Sequence, residues 1–500
     1  MDNSSIVLEA SLRQGSEHPF LPEQAASFTL AMRNTTDEKV KVYSIALNEY
    51  TPLLNVLNSD GQLIGEFSPQ IMVKRLLHVA IEKPGPVKSI ELDSGADETT
   101  WVNLWNYAPP LEPGQYAFEF MHRLQADTDR VLSNRVPFQI VAAQVKDVAL
   151  GYESSHRNTS VMAWLAAPEG NRDEPVLLAR LSTGGDHRVT KQGATSYGCI
   201  PSATSVAVGQ IPPDREHDDT GWIAVMPEGQ AELIRHDMTN ELWRSGLIPM
   251  NITDSKLINR YPDRGHAVLL ATGQSEGKSV LAGVIVNVEQ EGDYQPWSVP
   301  LLASPDDAVC CFGTEGPISL LFVSRDGENT NLSRLDVEQD GRVVVPEKII
   351  HTTSLKVLSV AVDMRPGQTA MFLVLTADRD NHDHLSLIRI PLSEGPQVPE
   401  LQPVAGWPAT EDGDKRVPLE ADRVFLELAP DGVAWLALID EKGDFYGGTL
   451  TNRYHPVKRL RESSGTRLLY PHVGALFGGT TVSCFLESGL LFHTGGRGGL

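Results

Sequence analysis

Two hydrophobic patterns divide the chain. Up to about residue 143, apolar and polar positions alternate in short segments such as Ser27-Phe28-Thr29-Leu30-Ala31-Met32. Alternation marks a half-buried strand, because successive side chains point to opposite faces. Turn residues separate these segments. Asn34-Thr35-Thr36-Asp37 precedes Val40-Lys41-Val42-Tyr43, and Asn58-Ser59-Asp60-Gly61 stands between Leu54-Asn55-Val56-Leu57 and Gln62-Leu63-Ile64. An Asx-Gly turn of this kind fits the twist of a hairpin. About seven strands spaced in this way predict an antiparallel sandwich over residues 1–143. One stretch breaks the alternation: Ile71, Met72, Arg75, Leu76, Val79 and Ala80 fall at helical spacing. They predict a short amphipathic helix within 68–82, read first as a cover for the sheet and second as a partner-docking face.

From residue 144 the pattern changes to continuous apolar runs, each followed by a turn. The runs centre on Trp164, Trp222, Leu269, Leu321, Phe372, Trp435 and Phe485, at intervals of 47 to 63 residues. An apolar segment precedes each, marked by Val148, Val206, Leu257, Val309, Val360, Phe425 and Val473. A third segment follows, often with arginine (Arg180, Arg235, Arg334, Arg389), and then a more polar fourth. Four strands per roughly 50 residues, seven times over, predict a seven-bladed β-propeller across 144–500. The second strand reads as an unbroken run because both of its faces are buried. The last unit runs out after three strands, so residues Val141 to Val145 are expected to supply its missing outer strand and close the ring.

The first region resembles bacterial immunoglobulin-like domains. FTLAMRNTTDEKVKVYS (28–44) is similar to their early strand pair, LEPGQYAFEF (111–120) to their Pro-Gly-x-Tyr corner and SNRVPFQIV (133–141) to their last strand. The resemblance implies a sandwich fold with an adhesive or spacing role. The second region resembles propellers as a class, without the Trp-Asp ending of WD40 blades or the paired glycines of kelch. The fold class is therefore all-β, an Ig-like sandwich followed by a propeller.

Charge narrows the partners. The net charge of −23 is shared between the regions, −7 over residues 1–143 and −16 over the rest. Binding of nucleic acid by bulk charge is excluded, since it needs clustered Lys and Arg. The first residues carry no secretory signal, and no apolar run approaches the ~20 residues that span a bilayer, so a cytoplasmic location without membrane contact is expected. Cys199, Cys310, Cys311 and Cys484 form no Cys-x-x-Cys and read as small hydrophobes.

Candidate chemistry is sparse. Thr272-Gly273-Gln274-Ser275-Glu276-Gly277-Lys278-Ser279 nearly matches a P-loop and contains Gly-x-Ser-x-Gly, but a strand follows where both motifs require a helix. A hairpin turn is the reading. Ser324-Arg325-Asp326-Gly327 approaches a sialidase Asp-box, with its glycine one place early. Asp378-Arg379-Asp380-Asn381-His382-Asp383-His384 is the best cation candidate, set against a solvated polar turn. The four arginines are expected to pair with acids of the neighbouring blade. No catalytic, cofactor-binding or metal-ligating residue is assigned. The expected function is non-enzymatic, a scaffold binding protein partners through propeller faces and sandwich loops. The alternative is an enzyme or ligand binder, a hydrolase or lyase on a sugar or lactone. It would use polar groups near the axis: Glu153, Arg260, Asp363, Glu427 and His472.

Overall fold

In the computed structural model, the described residues are 5–13, 19–46, 52–67, 88–104, 111–126, 128–152, 159–169, 174–183, 194–210, 221–236, 241–258, 268–286, 294–312, 317–363, 370–377, 385–392, 400–403, 424–428, 432–440, 442–450, 457–463, 465–476 and 479–496. Their regular structure is almost wholly β, and among them no helix is long and apolar enough to cross a membrane. The helix expected over 68–82 and the Asp378–His384 turn lie outside them. The chain separates into two compact units. One comprises Met1–Ala143 with Val189–Ser196 and Ser488–Leu490; the other comprises Gln144–Arg188, Tyr197–Glu487 and Leu491–Leu500.

In the first unit, Ser27–Asn34 is the centre of a three-stranded sheet between Ile6–Leu12 and Asp97–Asn103. A second sheet runs Val136–Ile140, Gly114–Arg123, Leu53–Asn58, Leu63–Phe67, with Arg130–Leu132 also paired to Gly114–Arg123. Val40–Tyr43 pairs with Ser89–Leu92. The alternation in Ser27–Asn34 sends Phe28, Leu30 and Met32 inward, all fully buried. Phe28 stacks on Phe118 of the second sheet, ring centroids 4.2 Å apart, and meets Phe138 edge-on at 5.4 Å. The two sheets thus enclose one apolar core. Asn58 builds its turn as its sequence implies: its Oδ1 accepts from the backbone N–H of Asp60 and Gln62, and Gly61 takes the left-handed φ of 74°.

From Ala143 onward the chain forms consecutive antiparallel meanders in a propeller-like arrangement. Among the described residues there are six four-stranded sheets and a final three-stranded one. Their first strands are Ala143–Tyr152, Ala203–Gln210, Thr253–Leu257, Asp307–Phe312, Lys356–Asp363, Val424–Leu428 and Leu468–Leu476. The second strands carry the apolar runs: Trp164, Trp222, Leu269, Leu321, Phe372 and Phe485 are fully buried, and Trp435 is 6% exposed. Each sheet packs on the next, as Val161 and Ala163 do on Val206 and Ile223, or Leu321 on Val360 and Phe372. The seventh returns to the first through Trp164 and Phe485, ring centroids 5.3 Å apart.

Closure therefore differs from the expectation of a strand contributed by Val141 to Val145. Ala143–Tyr152 is the first strand of the first sheet, paired along one side with Thr159–Pro168, and is not an outer strand of the seventh. The seventh sheet meets the first through Trp164 against Phe485 and the Tyr470 hydroxyl on the carbonyls of Val145 (3.3 Å) and Lys146 (3.0 Å), and within the expected segment a single backbone bond, Ala143 N–H to Ser488 O at 3.1 Å, is formed among the described residues.

Candidate functional site

Ala203–Gln210 lies beside Thr253–Leu257, Asp307–Phe312 beside Lys356–Asp363, and Val424–Leu428 between Lys356–Asp363 and Leu468–Leu476, and each first strand is the end strand of its sheet. An end strand presents a row of N–H and C=O groups that its own sheet does not pair. Here neighbouring sheets supply partners. Ser-Val-Ala-Val occurs twice, at 205–208 and 359–362, each time on a first strand and just after a shift of register. A bulge re-aims the side chain beside it. Ser205 Oγ accepts the N–H of Leu257 in the third sheet at 3.1 Å, and Ser359 Oγ accepts that of Leu426 in the sixth at 3.1 Å. Asp147 holds the corresponding place in the first sheet. Its Oδ2 accepts Val206 N–H at 2.9 Å and the Ser205 hydroxyl at 3.0 Å. The resulting relay runs Leu257 N–H to Ser205 to Asp147 and ties three sheets together.

Electrostatics distinguish Asp147 within this relay. Burial pushes its carboxyl up, and the Val206 and Ser205 hydrogen bonds with the nearby Lys256 charge offset this in part. Tyr470 is pushed up as well, by burial first and then by the Asp147 charge, with Arg467 opposing. His472 is buried beside them, its Nδ1 2.9 Å from Tyr470 O and its ring centroid 4.6 Å from that of Phe425.

The polar groups expected near the axis fare unevenly. Glu153 and Arg260 lie outside the described residues. Asp363 ends the first strand of the fifth sheet, its backbone opposite Met371, while its side chain lies outside the described residues. Glu427 sits opposite Trp435 in the sixth sheet. The His472 side chain lies against the Tyr470 carbonyl and the Phe425 ring of the sixth sheet. The sequence reading missed Asp147, Ser205 and Tyr470; the repeated Ser-Val-Ala-Val was the available trace of the first two.

The other candidates resolve into structure. Glu276 and Gly277, at φ 52° and 74°, form a two-residue turn between Val268–Ser275 and Lys278–Ile285, so the P-loop-like segment is a hairpin. Gly327 turns between Ile318–Asp326 and Asn329–Val337 in the same way. All four arginines stand on third strands. Arg334 corrects the expectation of a neighbouring-blade partner: it makes a bidentate pair with Asp336 of its own strand, at 2.9 and 2.8 Å. Cys310 and Cys311 are buried, the latter pushed up to about 12 chiefly by burial. Among the described residues no group of three or more His, Cys, Asp or Glu is placed to hold a metal ion.

A second feature lies on an outermost strand. Val343, Val344 and Ile349 of Val343–Thr353 are 41%, 45% and 50% exposed. Leu302, 65% exposed, adjoins them, its N–H donating to Glu347 Oε2 of that strand at 2.8 Å. Pro346 and Lys348 punctuate the same strand.

No family model and no curated protein matches the chain. Among solved structures it is similar to the SapL1 lectin in complex with alpha methyl fucoside, at 10% identity and TM-score 0.36, over 64% of this chain and 96% of that one. It is also similar to a mutant of the Aleuria aurantia lectin in complex with alpha-methyl-L-fucoside, at 7% identity and TM-score 0.37, over 63% and 94%. A third is the Myceliophteria thermophila Cps50 (Swd1) β-propeller domain, at 11% identity and TM-score 0.40, over 71% and 96%.

Proposed function

We propose that the chain is a non-enzymatic scaffold that binds protein partners, built as an immunoglobulin-like sandwich over 1–143 and a seven-bladed propeller over 144–500. Seven successive sheets, the last packed on the first, support the blade number. The sandwich assignment draws on two facing sheets and on Tyr116, whose hydroxyl donates to Glu112 O at 2.7 Å, the tie of a tyrosine corner.

The observation that carries the binding role is the exposure of Val343, Val344 and Ile349 on the outermost strand of the fourth sheet and of Leu302, whose N–H is bonded to that strand. Apolar side chains gathered on one edge stabilise a complex when a partner removes them from water. Pro346 and Lys348 guard the same edge against open-ended strand pairing, so the strip suits a bounded side-chain contact. The test is affinity capture from the native host with three full-length proteins: the parent, Val344→Glu/Ile349→Glu, and Leu63→Glu as an exposed apolar control in the first unit. The reading expects a reproducible partner retained by the parent and control and lost by the double variant. No partner, or a partner indifferent to the double substitution, overturns it.

A further inference from the structure

We infer that the outer face of the sheet formed by Ile6–Leu12, Ser27–Asn34 and Asp97–Asn103 binds an uncharged hexose oligosaccharide beside Trp101. The inference is independent of the apolar strip on the fourth sheet. Strand alternation builds this face. Ile6, Leu8 and Ala10 are buried, as are Phe28, Leu30 and Met32, so Val7, Glu9 and Ser11 share the opposite face with Thr29, Ala31 and Arg33. Asp97, Thr99 and Trp101 complete it on the third strand. The register aligns them across the strands as Val7 with Arg33 and Asp97, Glu9 with Ala31 and Thr99, and Ser11 with Thr29 and Trp101. Arg13 prolongs the first strand, its N–H donating to Ser27 O at 3.0 Å. Its guanidinium lies over the indole, 4.3 Å from the ring centroid, and orients it.

The relief of the face shows where a ligand sits. Long side chains stand at both ends, Trp101 with Arg13 at one and Arg33 with Asp97 at the other. Between them the floor carries only the short side chains of Ser11, Thr29, Ala31 and Thr99. From Asp97 to Trp101 this shelf runs about 13 Å along the strand, and it is about 10 Å wide across three strands. Trp101 is 52% exposed at its end.

The chemistry of the shelf is that of a sugar's surroundings. Among the described residues, the side chains of Glu9, Ser11, Arg13, Thr29, Arg33, Asp97 and Thr99 form no hydrogen bond or ion pair with the protein. Donors and acceptors therefore stand open around one aromatic ring. A pyranose has the matching parts, C–H groups on its faces for the indole and rim hydroxyls that both donate and accept. Charge favours a neutral ligand, because the two arginines offset the two carboxylates on this face while residues 1–143 together carry −7. A protein partner would call for a broader apolar centre than one indole, Val7 and Ala31 provide.

Calorimetric titration of the full chain tests this with cellotetraose, a flat ribbon, and maltotetraose, its coiled isomer. The parent should bind at least one of them, and Trp101→Ala should weaken that binding about tenfold or more. Trp101→Phe should recover part of the loss, since the smaller ring keeps an apolar face. Ala31→Glu raises a charged side chain from the middle of the floor with Trp101 untouched, and should abolish binding. Val344→Glu/Ile349→Glu should bind as the parent does. Tighter binding of cellotetraose assigns a flat glycan to the shelf, and tighter binding of maltotetraose a coiled one. If neither tetrasaccharide binds, or if Trp101→Ala or Ala31→Glu binds undiminished, the inference is overturned. Should Trp101→Ala not fold, judged by circular dichroism, Ala31→Glu decides.

Discussion

Gly209 offers a test of how tightly the second sheet is built. It stands directly opposite Trp222 on adjacent strands. A Cβ at Gly209 would lie 2.2 Å from Cζ2 and 2.4 Å from Cε2 of that indole. Carbon atoms settle at about 3.5–4.0 Å, so the ring would have to yield by roughly 1.5 Å. Trp222 is fully buried in the core shared with the third sheet and has no open side into which to move. Overpacking of this kind costs about 1–3 kcal/mol, against a gain of about 0.5–1 kcal/mol from replacing a strand glycine. Gly209→Ala should therefore lose about 1 kcal/mol. Gly283→Ala is the internal control, because its Cβ would also meet an indole at 2.2 Å, that of Trp297. Trp297 is half-exposed, so it has solvent on part of its surface into which to yield, at the cost of its close approach to Gly341 and its Nε1–H hydrogen bond to Gln339 O at 2.8 Å. That loss is about 1 kcal/mol, nearly offset by the glycine gain. Hydrogen exchange of the amides in Ala203–Gln210 and Gly221–Pro227 reads the local opening energy without assuming that a two-unit chain unfolds in one step. Equal or greater protection in Gly209→Ala would refute the packing argument, as would equal losses at the two glycines.

Four further outcomes are expected. Ser205→Ala removes the acceptor of Leu257 N–H and a donor to Asp147, and should cost about 1–3 kcal/mol in a thermal or urea melt; an unchanged melt counts against the relay. Tyr116→Phe deletes the bond to Glu112 O and should destabilise the first unit by about 1 kcal/mol, whereas no change would show the corner to be idle. A thiol reagent should label exposed Cys199 in the folded protein and leave Cys310, Cys311 and Cys484 unreacted until denaturant is added; rapid labelling of all four would contradict their burial. Burial holds His122 below its ordinary value despite its contact with Tyr43 O and the nearby Glu98 charge, so the unfolded chain takes up the proton first. Its contribution to stability is thus present above about 6.5 and lost as pH falls through that range, and the pH slope of unfolding should flatten in His122→Gln.

The legibility of the chain follows from which forces leave a pattern in one dimension. A strand buried on both faces needs apolar residues without a break, which is why Trp164, Trp222, Leu321 and Phe372 mark second strands in the sequence alone. Hydrogen bonds between sheets leave a weaker trace. Ser205 and Ser359 reach the next sheet because register shifts beside them re-aim their side chains, and a shift of register does not alter the count of apolar positions. The sequence therefore directs attention to polar residues at the far ends of first strands, at Asp363 and Glu427, while the described relay reaches Asp147 near the beginning of one. The expectation for Arg334 fails for a local reason. Alternate residues of a strand share a face, so Asp336 lies nearer to it than an acid of another sheet. The expected closure fails because counting strands treats every short apolar segment as available. Ala143–Tyr152 already serves as the end strand of the first sheet, and the seventh packs on that sheet by Trp164 and Phe485. The relay of Asp147, Ser205 and Leu257 exists only once three sheets have been brought side by side.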